Sequence, residues 1–335
     1  MKGRLTLALL LAGAAIMAGV ALGKSSAGST GTGTVFFPNP VAQLQDESLT
    51  DQKDADYAAL QPAYRNVTLT NLDGTGTLTG DWAQVKSETG DPARSSTNTF
   101  TYHRNDDRFE QVMAYYWVTE AQKYIQSLGF GTGKYPPVNK QSQRLRINQY
   151  GADNSFATDH PVDELRFGKG GVDDAEDAEV ILHEYGHAIH FSQNFSFASE
   201  EAGAISEGFG DYWAANVTNN IAPTPDPACV ADWDSVSYTS RVPHCLRRVD
   251  LNLHYPGDLN GEVHHDGQIW SRALWDIRTA LGHVKADTII LNGQFDFPGT
   301  TMTALAQSTV AAAQSLYGKQ AAAGVTKAFA DRGIL

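Results

Sequence analysis

Apolar positions recur at helical spacing in three parts of the chain. Across 108–128 they fall three or four residues apart, which predicts an amphipathic helix that ends where Gly129 follows. The segment 270–281 has the same spacing, and the Ala-rich stretch 301–330 is typical of helices that pack together. We therefore expect helices to dominate the C-terminal part of the chain.

Short apolar runs separated by turn residues predict strands in the first part of the chain. Between 35 and 85 such runs alternate with Pro, Asp and Gly, and Asp73 followed by Gly74 is typical of a hairpin turn. The segment 144–148 alternates as a strand does. The pattern predicts a β-rich N-terminal segment over 35–100.

The N-terminus has the pattern of a secretory signal peptide. A short basic start with Lys2 and Arg4 precedes an apolar run that extends to Gly23. We expect residues 1–23 to be removed, and the alternative is an uncleaved anchor, because nineteen apolar residues can just span a bilayer. The Ser, Gly and Thr residues of 24–34 predict a flexible linker.

The net charge of −13 restricts the possible partners. It becomes more negative once Lys2 and Arg4 leave with the signal peptide, and an anionic protein is a poor partner for nucleic acid or an anionic membrane. No later stretch is apolar for long enough to span a bilayer, so we expect no membrane association after cleavage. The charge identifies no substrate, because many secreted enzymes are acidic.

Two cysteines, Cys229 and Cys245, enclose fifteen residues of a Pro-rich segment. In an exported chain we expect them to form a disulfide that stabilises the fold by about 3 kcal/mol through loop closure. The alternative is a zinc site formed by the pair, for which His244 would be a further ligand.

Candidate chemistry is concentrated in 180–190, which contains the pattern His-Glu-x-x-His. Because residues four apart lie on one face of a helix, the rings of His183 and His187 can converge on one Zn²⁺. Glu184 lies about 100° around the helix, where it can take a proton from water that the metal activates. The pattern alone is short enough to occur by chance.

A third ligand is available twenty residues after His187. A helix through Glu207 and Asp211 would project both carboxylates from one face, one turn apart. The first can bind zinc, and the second can accept the N–H of a ligand histidine and fix its tautomer. A catalytic zinc usually has three protein ligands, so Glu207 would complete the set.

These segments resemble those of the gluzincin peptidases, a group that includes thermolysin and the fungalysins. The shared pattern is His-Glu-x-x-His, a ligand Glu about twenty residues later and an Asp four residues after that. The resemblance implies zinc ligands His183, His187 and Glu207, a general base at Glu184, and Asp211 bonded to His183.

The resemblance also implies a fold. It predicts an α+β, thermolysin-like protein of two lobes, with the zinc helix at the cleft between them. We place the gluzincin-like region at 101–335, with a mixed lobe at 101–191 and a mainly helical lobe at 192–335. The similarity is strong only in the zinc segments.

Other segments are similar to those that contact substrate in these peptidases. Asn154 and Ser155 resemble the edge-strand segment that binds the substrate backbone, and the alternative is an ordinary Asx turn. A Val-His pair resembles the segment whose histidine donates to the tetrahedral intermediate, which assigns that role to His264 rather than His265. The family tyrosine that is the second donor corresponds to Ala198, a departure that weakens transition-state stabilisation.

Two assignments stay open. The family arginine that binds the substrate corresponds to Arg241, Arg247 or Arg248, and Tyr212 or Tyr255 could replace the missing tyrosine.

Acidic residues at 173–177 are expected to cap the zinc helix, where the helix dipole favours negative charge. The alternative is Ca²⁺ binding, which is common in such families. The acidic residues of thermolysin's calcium cluster are not matched at the corresponding distance after Glu207, so the resemblance does not support it.

We predict a secreted, monomeric zinc metalloendopeptidase that hydrolyses peptide or protein substrates. An aminopeptidase is disfavoured because no Gly-x-Met-x-Asn motif is present. Two alternatives remain. One is a secreted zinc-containing binding or adhesion module without catalysis, and the other is a processing hydrolase of narrow specificity.

Overall fold

The computed structural model describes residues 28–86 and 90–335. The predicted signal peptide, 1–23, and the start of the predicted linker, 24–27, lie outside the described residues. The strands are, in chain order, β1 (Ser29–Val35), β2 (Arg65–Leu72), β3 (Ala83–Val85), β4 (Thr99–Phe100), β5 (Gln143–Arg146), β6 (Ser155–Thr158), β7 (Glu164–Phe167), β8 (Cys229–Val230) and β9 (Arg247–Arg248). The α-helices are α1 (Pro40–Leu44), α2 (Arg108–Ser127), α3 (Ala178–Ser192), α4 (Glu200–Ile221), α5 (Val263–Leu281), α6 (His283–Gly293), α7 (Met302–Tyr317) and α8 (Lys319–Asp331).

The order of these elements confirms the predicted α+β class. Strands β1 to β7 form two sheets before α3 begins, whereas the elements after α3 are mainly helices, interrupted by the short pair β8–β9. In the part of the chain that the structure describes, no helix is both long and apolar enough to cross a membrane.

The predicted linker over 24–34 is wrong from Ser29 onward, because this part forms strand β1. The strand lies in the middle of a three-stranded sheet, antiparallel to β2 and parallel to β4. Its small residues reflect close packing, since a Cβ at Gly33 would lie 2.6 Å from Cγ1 of Val112. A composition typical of linkers is therefore compatible with a strand where neighbours approach closely.

The second sheet supplies an edge strand beside the helix α3. Its order is β3–β5–β7–β6, in which β3, β5 and β7 are parallel and β6 pairs antiparallel with β7. Strand β6 therefore lies at the edge of the sheet. The strand predicted at 144–148 is present as β5, shifted by one to two residues.

Helix α2 confirms the helix predicted over 108–128, but residues 109–119 are buried on every side and not along one face only. It ends at Ser127, and Gly129 follows with a φ of +107°, a conformation that glycine adopts without steric cost. The buried hydroxyl of Tyr115 donates to the carbonyl of Thr70 at 2.8 Å, which fastens α2 to β2. The helix thus forms the centre of the core around the first sheet.

Helix α4 lies between α3 and α5. Its contact with α3 requires glycine on both helices, because a Cβ on Gly186 would lie 2.9 Å from the Cα of Gly210. Toward α5, a Cβ on Gly208 would lie 2.2 Å from the carbonyl oxygen of Gly267. This close approach brings side chains of three helices within reach of one another.

Strands β8 and β9 pair antiparallel, and the disulfide between Cys229 and Cys245 closes the loop between them. The predicted disulfide is thereby confirmed. His244, the further ligand of the alternative zinc site, instead lies with Nδ1 2.6 Å from a carboxylate oxygen of Glu47.

Candidate metal centre and catalytic cavity

Helix α3 carries two histidines on one face. It begins at Ala178, where the side chain of Asp177 accepts a hydrogen bond of 2.9 Å from the backbone N–H of Glu179. His183 and His187 lie one turn apart on this helix, and their ring centroids are 4.9 Å apart. The cap fixes the first residue of the helix, and the four-residue spacing places both rings on one face.

Glu207 of α4 faces both histidines. Its Oε2 lies 3.1 Å from Nε2 of His183, and its Oε1 lies 3.6 Å from Nε2 of His187. One ligand atom from each of the three residues lies within 4.8 Å of the other two. Two imidazole nitrogens and a carboxylate oxygen are a common ligand set of catalytic Zn²⁺, so these residues fit the metal.

The other ring nitrogen of each histidine already has a partner. Nδ1 of His183 lies 2.9 Å from Oδ1 of Asp211, and Nδ1 of His187 lies 2.8 Å from Oγ of Ser206. When Nδ1 donates its proton to such a partner, the lone pair lies on Nε2, the atom that faces Glu207. The structure places Asp211 where the resemblance predicted it, whereas sequence reasoning missed Ser206.

Ser206 also lies 3.0 Å from Nδ1 of His190, whose ring stacks on Phe195. Because a hydroxyl carries one proton, Ser206 can accept from His187 and donate to His190. Burial lowers the pKa of His190 well below its ordinary value, which keeps this ring neutral and able to accept. The signal for Ser206 in the sequence was its position directly before Glu207, on the helix that packs against α3.

Arg247 of β9 pairs with Asp211, the carboxylate that contacts His183. Its Nε and one terminal nitrogen lie 2.7 and 2.8 Å from the two oxygens of Asp211, which forms a bidentate ion pair. A Cβ at Gly210 would lie 2.7 Å from Nδ1 of His183, so only glycine allows the ring to pack there. Of the three arginines that the sequence left open, Arg247 is the one that lines the cavity described below.

The surrounding charges favour the metal-binding forms of Glu207 and His187, but not that of His183. Burial raises the pKa of Glu207, but the two histidines outweigh it and hold that pKa well below its usual range. Burial lowers the pKa of His187 to about 4, so this ring is neutral at neutral pH. For His183 burial acts in the same direction, but Asp211 and Glu207 outweigh it and raise the pKa to about 10. A metal ion must therefore displace a proton from His183 when it binds.

Glu184 lies in the same site. It is 6% exposed, and its Oε2 has no hydrogen-bond partner among the described residues. Burial raises its pKa to about 7; His183 opposes this shift, while Glu207 and Asp174 add to it. A carboxylate with such a pKa can both accept and release a proton near neutral pH.

A cavity opens beside α3. The candidate residues that line it are Asn154, Ser155, His183, Glu184, Arg247 and His264. Ser155 begins the edge strand β6, and its hydroxyl donates to Asp174. The structure thus brings the predicted substrate strand to the same cavity as the predicted base.

The neighbouring histidines of α5 differ in position. Nε2 of His264 lies 3.4 Å from Oε2 of Glu207, and its Nδ1 lies 2.6 Å from a carboxylate oxygen of Glu262. His265 instead lies 3.0 Å from Asp266 and does not line the cavity. His264 is therefore the one of the pair that faces the candidate metal centre.

Ala198 supplies no hydroxyl and does not line the cavity. Neither Tyr212 nor Tyr255, the two possible replacements, lines it, and their hydroxyls donate to carboxylates elsewhere. Tyr238 does line the cavity, but its hydroxyl donates to Asp153. A tyrosine donor to the substrate is thus not evident among the described residues.

Of the acidic residues expected to cap α3, only Asp177 does so. Asp174 to Glu176 form a short 3₁₀ helix before α3 and are buried. Glu176 lies 2.9 Å from Nε of the buried Arg104, an ion pair that ties this turn to the N-terminal part of the chain. Asp174 therefore lines the cavity and Glu176 forms a buried ion pair, and neither caps the helix.

Comparisons with known proteins identify the family and the fold. The sequence profile described as Fungalysin metallopeptidase (M36) matches residues 66–286. The comparison with curated proteins finds no match. Among solved structures, the precursor of protealysin, a metalloproteinase from Serratia proteamaculans, is similar in fold, with a TM-score of 0.56 and 17% identity over 90% of this chain and 99% of that one. The predicted thermolysin-like and fungalysin-like resemblance is thereby confirmed, and the chain belongs to the fungalysin family of zinc metallopeptidases.

Proposed function

We propose that this chain is an exported zinc endopeptidase, with His183, His187 and Glu207 as zinc ligands and Glu184 as general base. One observation carries the proposal. Three ligand atoms converge within 4.8 Å beside a buried carboxylate oxygen that has no hydrogen-bond partner among the described residues. Such a constellation fits metal-assisted hydrolysis of a peptide bond.

The side chains would act in the following order. Zn²⁺, when bound, supplies a Lewis acid that polarises the scissile carbonyl and makes water more acidic. Glu184 accepts a proton from the attacking water and later passes it to the leaving amine. His264 donates a hydrogen bond to the carbonyl oxygen as negative charge develops on it. Asp211 and Ser206 hold the two ligand histidines in orientation.

Strand β6 would bind the substrate backbone. It lies at the edge of its sheet, and Ser155 and the preceding Asn154 line the cavity. An extended peptide can add to such an edge through main-chain hydrogen bonds, which places its carbonyls beside the metal centre. A substrate bound along a strand extends in both directions, as cleavage at internal bonds requires.

Export is supported by the Cys229–Cys245 disulfide, because disulfides persist in oxidising compartments. The pattern of residues 1–23 as a signal peptide agrees with it. We propose that the mature chain acts outside the cytoplasm, as a monomer, on peptides or proteins.

The experiment incubates the purified chain with a diverse library of peptides blocked at both ends. We expect cleavage at internal bonds, loss of cleavage after treatment with a zinc chelator, and recovery when Zn²⁺ is added back. Zinc binding without hydrolysis of any peptide would instead indicate a binding or adhesion module. Cleavage of only a few related sequences would indicate a processing hydrolase of narrow specificity.

A further inference from the structure

The catalytic cavity contains an acidic region that the proposed chemistry does not use. Asp174 and Asp234 line the cavity together with Glu184. A carboxylate oxygen from each of these two aspartates and one from Asp153 all lie within 4.8 Å of one another. We call Asp153, Asp174 and Asp234 the aspartate cluster.

Two members of the aspartate cluster are buried and incompletely bonded. Asp174 is 2% exposed and Asp234 is 4% exposed, and Oδ1 of each has no hydrogen-bond partner among the described residues. The other oxygen of Asp174 accepts from Ser155, and Asp153 accepts from Tyr238. Burying a carboxylate oxygen without a donor is unfavourable, so a ligand that brings donors to these oxygens would be stabilised.

The surrounding charges do not neutralise the cluster. Among the described residues that line the cavity, Arg247 carries the one guanidinium group, and it is paired with both oxygens of Asp211. Burial, together with Asp174, Asp177 and Asp153, raises the pKa of Asp234 well above its ordinary value, although Arg247 acts in the opposite direction. Arg247 is thus paired with Asp211 rather than with the cluster, and a cationic ligand would favour the charged form of these buried carboxyls.

Part of the cavity wall is aliphatic. Val180, Val230 and Leu246 line it beside the carboxylates. A side chain with a hydrocarbon stem and a cationic end would suit this cavity. The stem would pack against the aliphatic residues, and the charge would reach the carboxylate oxygens of the aspartate cluster. Among the natural side chains, Lys and Arg have this form.

We infer that the cavity is a specificity pocket that receives a Lys or Arg side chain of the substrate, from a residue next to the bond that is cleaved. The inference rests on the proposed function, because the position of the pocket is defined by its contact with Glu184 and His183. A divalent cation could also bind carboxylates, but it would make no use of the aliphatic wall.

The test compares peptides that are blocked at both ends and differ only in one residue beside the cleaved bond. That residue is Lys, Arg or norleucine, an unbranched aliphatic side chain without charge, placed in turn on each side of the bond. We expect kcat/KM for the Lys or Arg peptide to exceed that for the norleucine peptide by about ten- to a hundredfold on one side.

Variants test whether the aspartate cluster causes the preference for Lys or Arg. In Asp234→Asn, kcat/KM for the Lys or Arg peptide divided by kcat/KM for the norleucine peptide should fall by about tenfold or more. The reason is that the amide keeps the shape of the carboxylate and loses its charge. The matched control is Asp159→Asn, which removes a carboxylate that is 49% exposed and lies outside the cavity. This control should keep the ratio of the wild-type chain.

The outcomes separate this inference from the proposed function. If the wild-type chain cleaves the norleucine peptide as fast as the Lys and Arg peptides, the specificity pocket is wrong and the peptidase function stands. If no peptide is cleaved, both fail. The wild-type comparison needs no variant, so a folding defect in Asp234→Asn cannot hide the answer. Calcium titration of both chains gives a further check: a Ca²⁺ site that is lost in Asp234→Asn, without any preference for cationic peptides, overturns the inference.

Discussion

The Nδ1 atom of His183 lies 2.9 Å from Oδ1 of Asp211, and the same carboxylate is held by Arg247 through two further contacts of 2.7 and 2.8 Å. The orientation of a candidate zinc ligand on α3 thus depends on a carboxylate of α4 and an arginine of β9. Such outer partners typically contribute ten- to a hundredfold to metal affinity.

We therefore expect Asp211→Asn to weaken zinc binding by about ten- to a hundredfold, because the amide cannot stabilise the ring as a carboxylate does. Competition with a chelator of known affinity measures the effect. The matched control is Asp226→Asn, which removes a carboxylate paired with Arg248 away from the cavity. Equal zinc affinity in both folded variants would contradict the role of Asp211.

His264 and His265 are adjacent in sequence but differ in function in our account. His264 faces Glu207 across 3.4 Å, whereas His265 is held by Asp266. Removing one oxyanion donor typically costs a hundred- to a thousandfold in turnover. His264→Ala should lower kcat by about this factor at unchanged zinc content, and His265→Ala should remain close to the wild-type chain. A loss confined to the His265 variant would show that the roles are reversed.

The sequence was most informative where chemistry depends on residues close along a helix. The spacing of His183 and His187 on one turn, and of Glu207 and Asp211 on another, follows from helix geometry alone. The pairing of the two helices came from the family resemblance. Periodicity likewise located α2, although the structure buries residues 109–119 on every side of the helix.

Contacts between distant segments could not be predicted in this way. Nothing in the sequence distinguished Arg247 from its neighbours, because its role depends on where β9 lies relative to Asp211. The aspartate cluster brings together residues from three segments that are distant in sequence. The strand β1 was missed for a related reason, since the glycines that suggested a linker are required by neighbours that are distant in sequence.

Asp173 makes the stability of the fold dependent on pH. It is 5% exposed, and burial, followed by Glu176, Asp54 and Asp107, raises its pKa to about 9 from an ordinary value of 3.8. The folded chain therefore keeps a proton that the unfolded chain releases near pH 4. The resulting stability is fully present below the unfolded pKa and is lost as the pH rises through the folded pKa.

We expect the free energy of unfolding to fall between pH 5 and 9 by up to about 1.4 kcal/mol per pH unit for this group. Asp173→Asn should reduce the slope, because the amide resembles the protonated carboxyl and can still accept from Asn148. Denaturant unfolding at several pH values measures it, with Asp159→Asn as the control for an exposed carboxylate. An identical slope in the wild-type chain and the Asp173 variant would show that this carboxyl does not control the pH dependence.

In the proposed zinc-dependent hydrolysis, Glu184 transfers the proton from water to the leaving amine. The most direct measurement is kcat/KM of Glu184→Gln for a cleaved peptide, with zinc content determined on the same sample. Gln keeps the shape but cannot accept a proton, so we expect about one zinc per chain and a loss of activity of about a hundredfold or more. Glu200→Gln, which changes an exposed residue at the start of α4, should behave as the wild-type chain does. Activity close to wild type in the zinc-loaded Glu184→Gln chain would contradict the account.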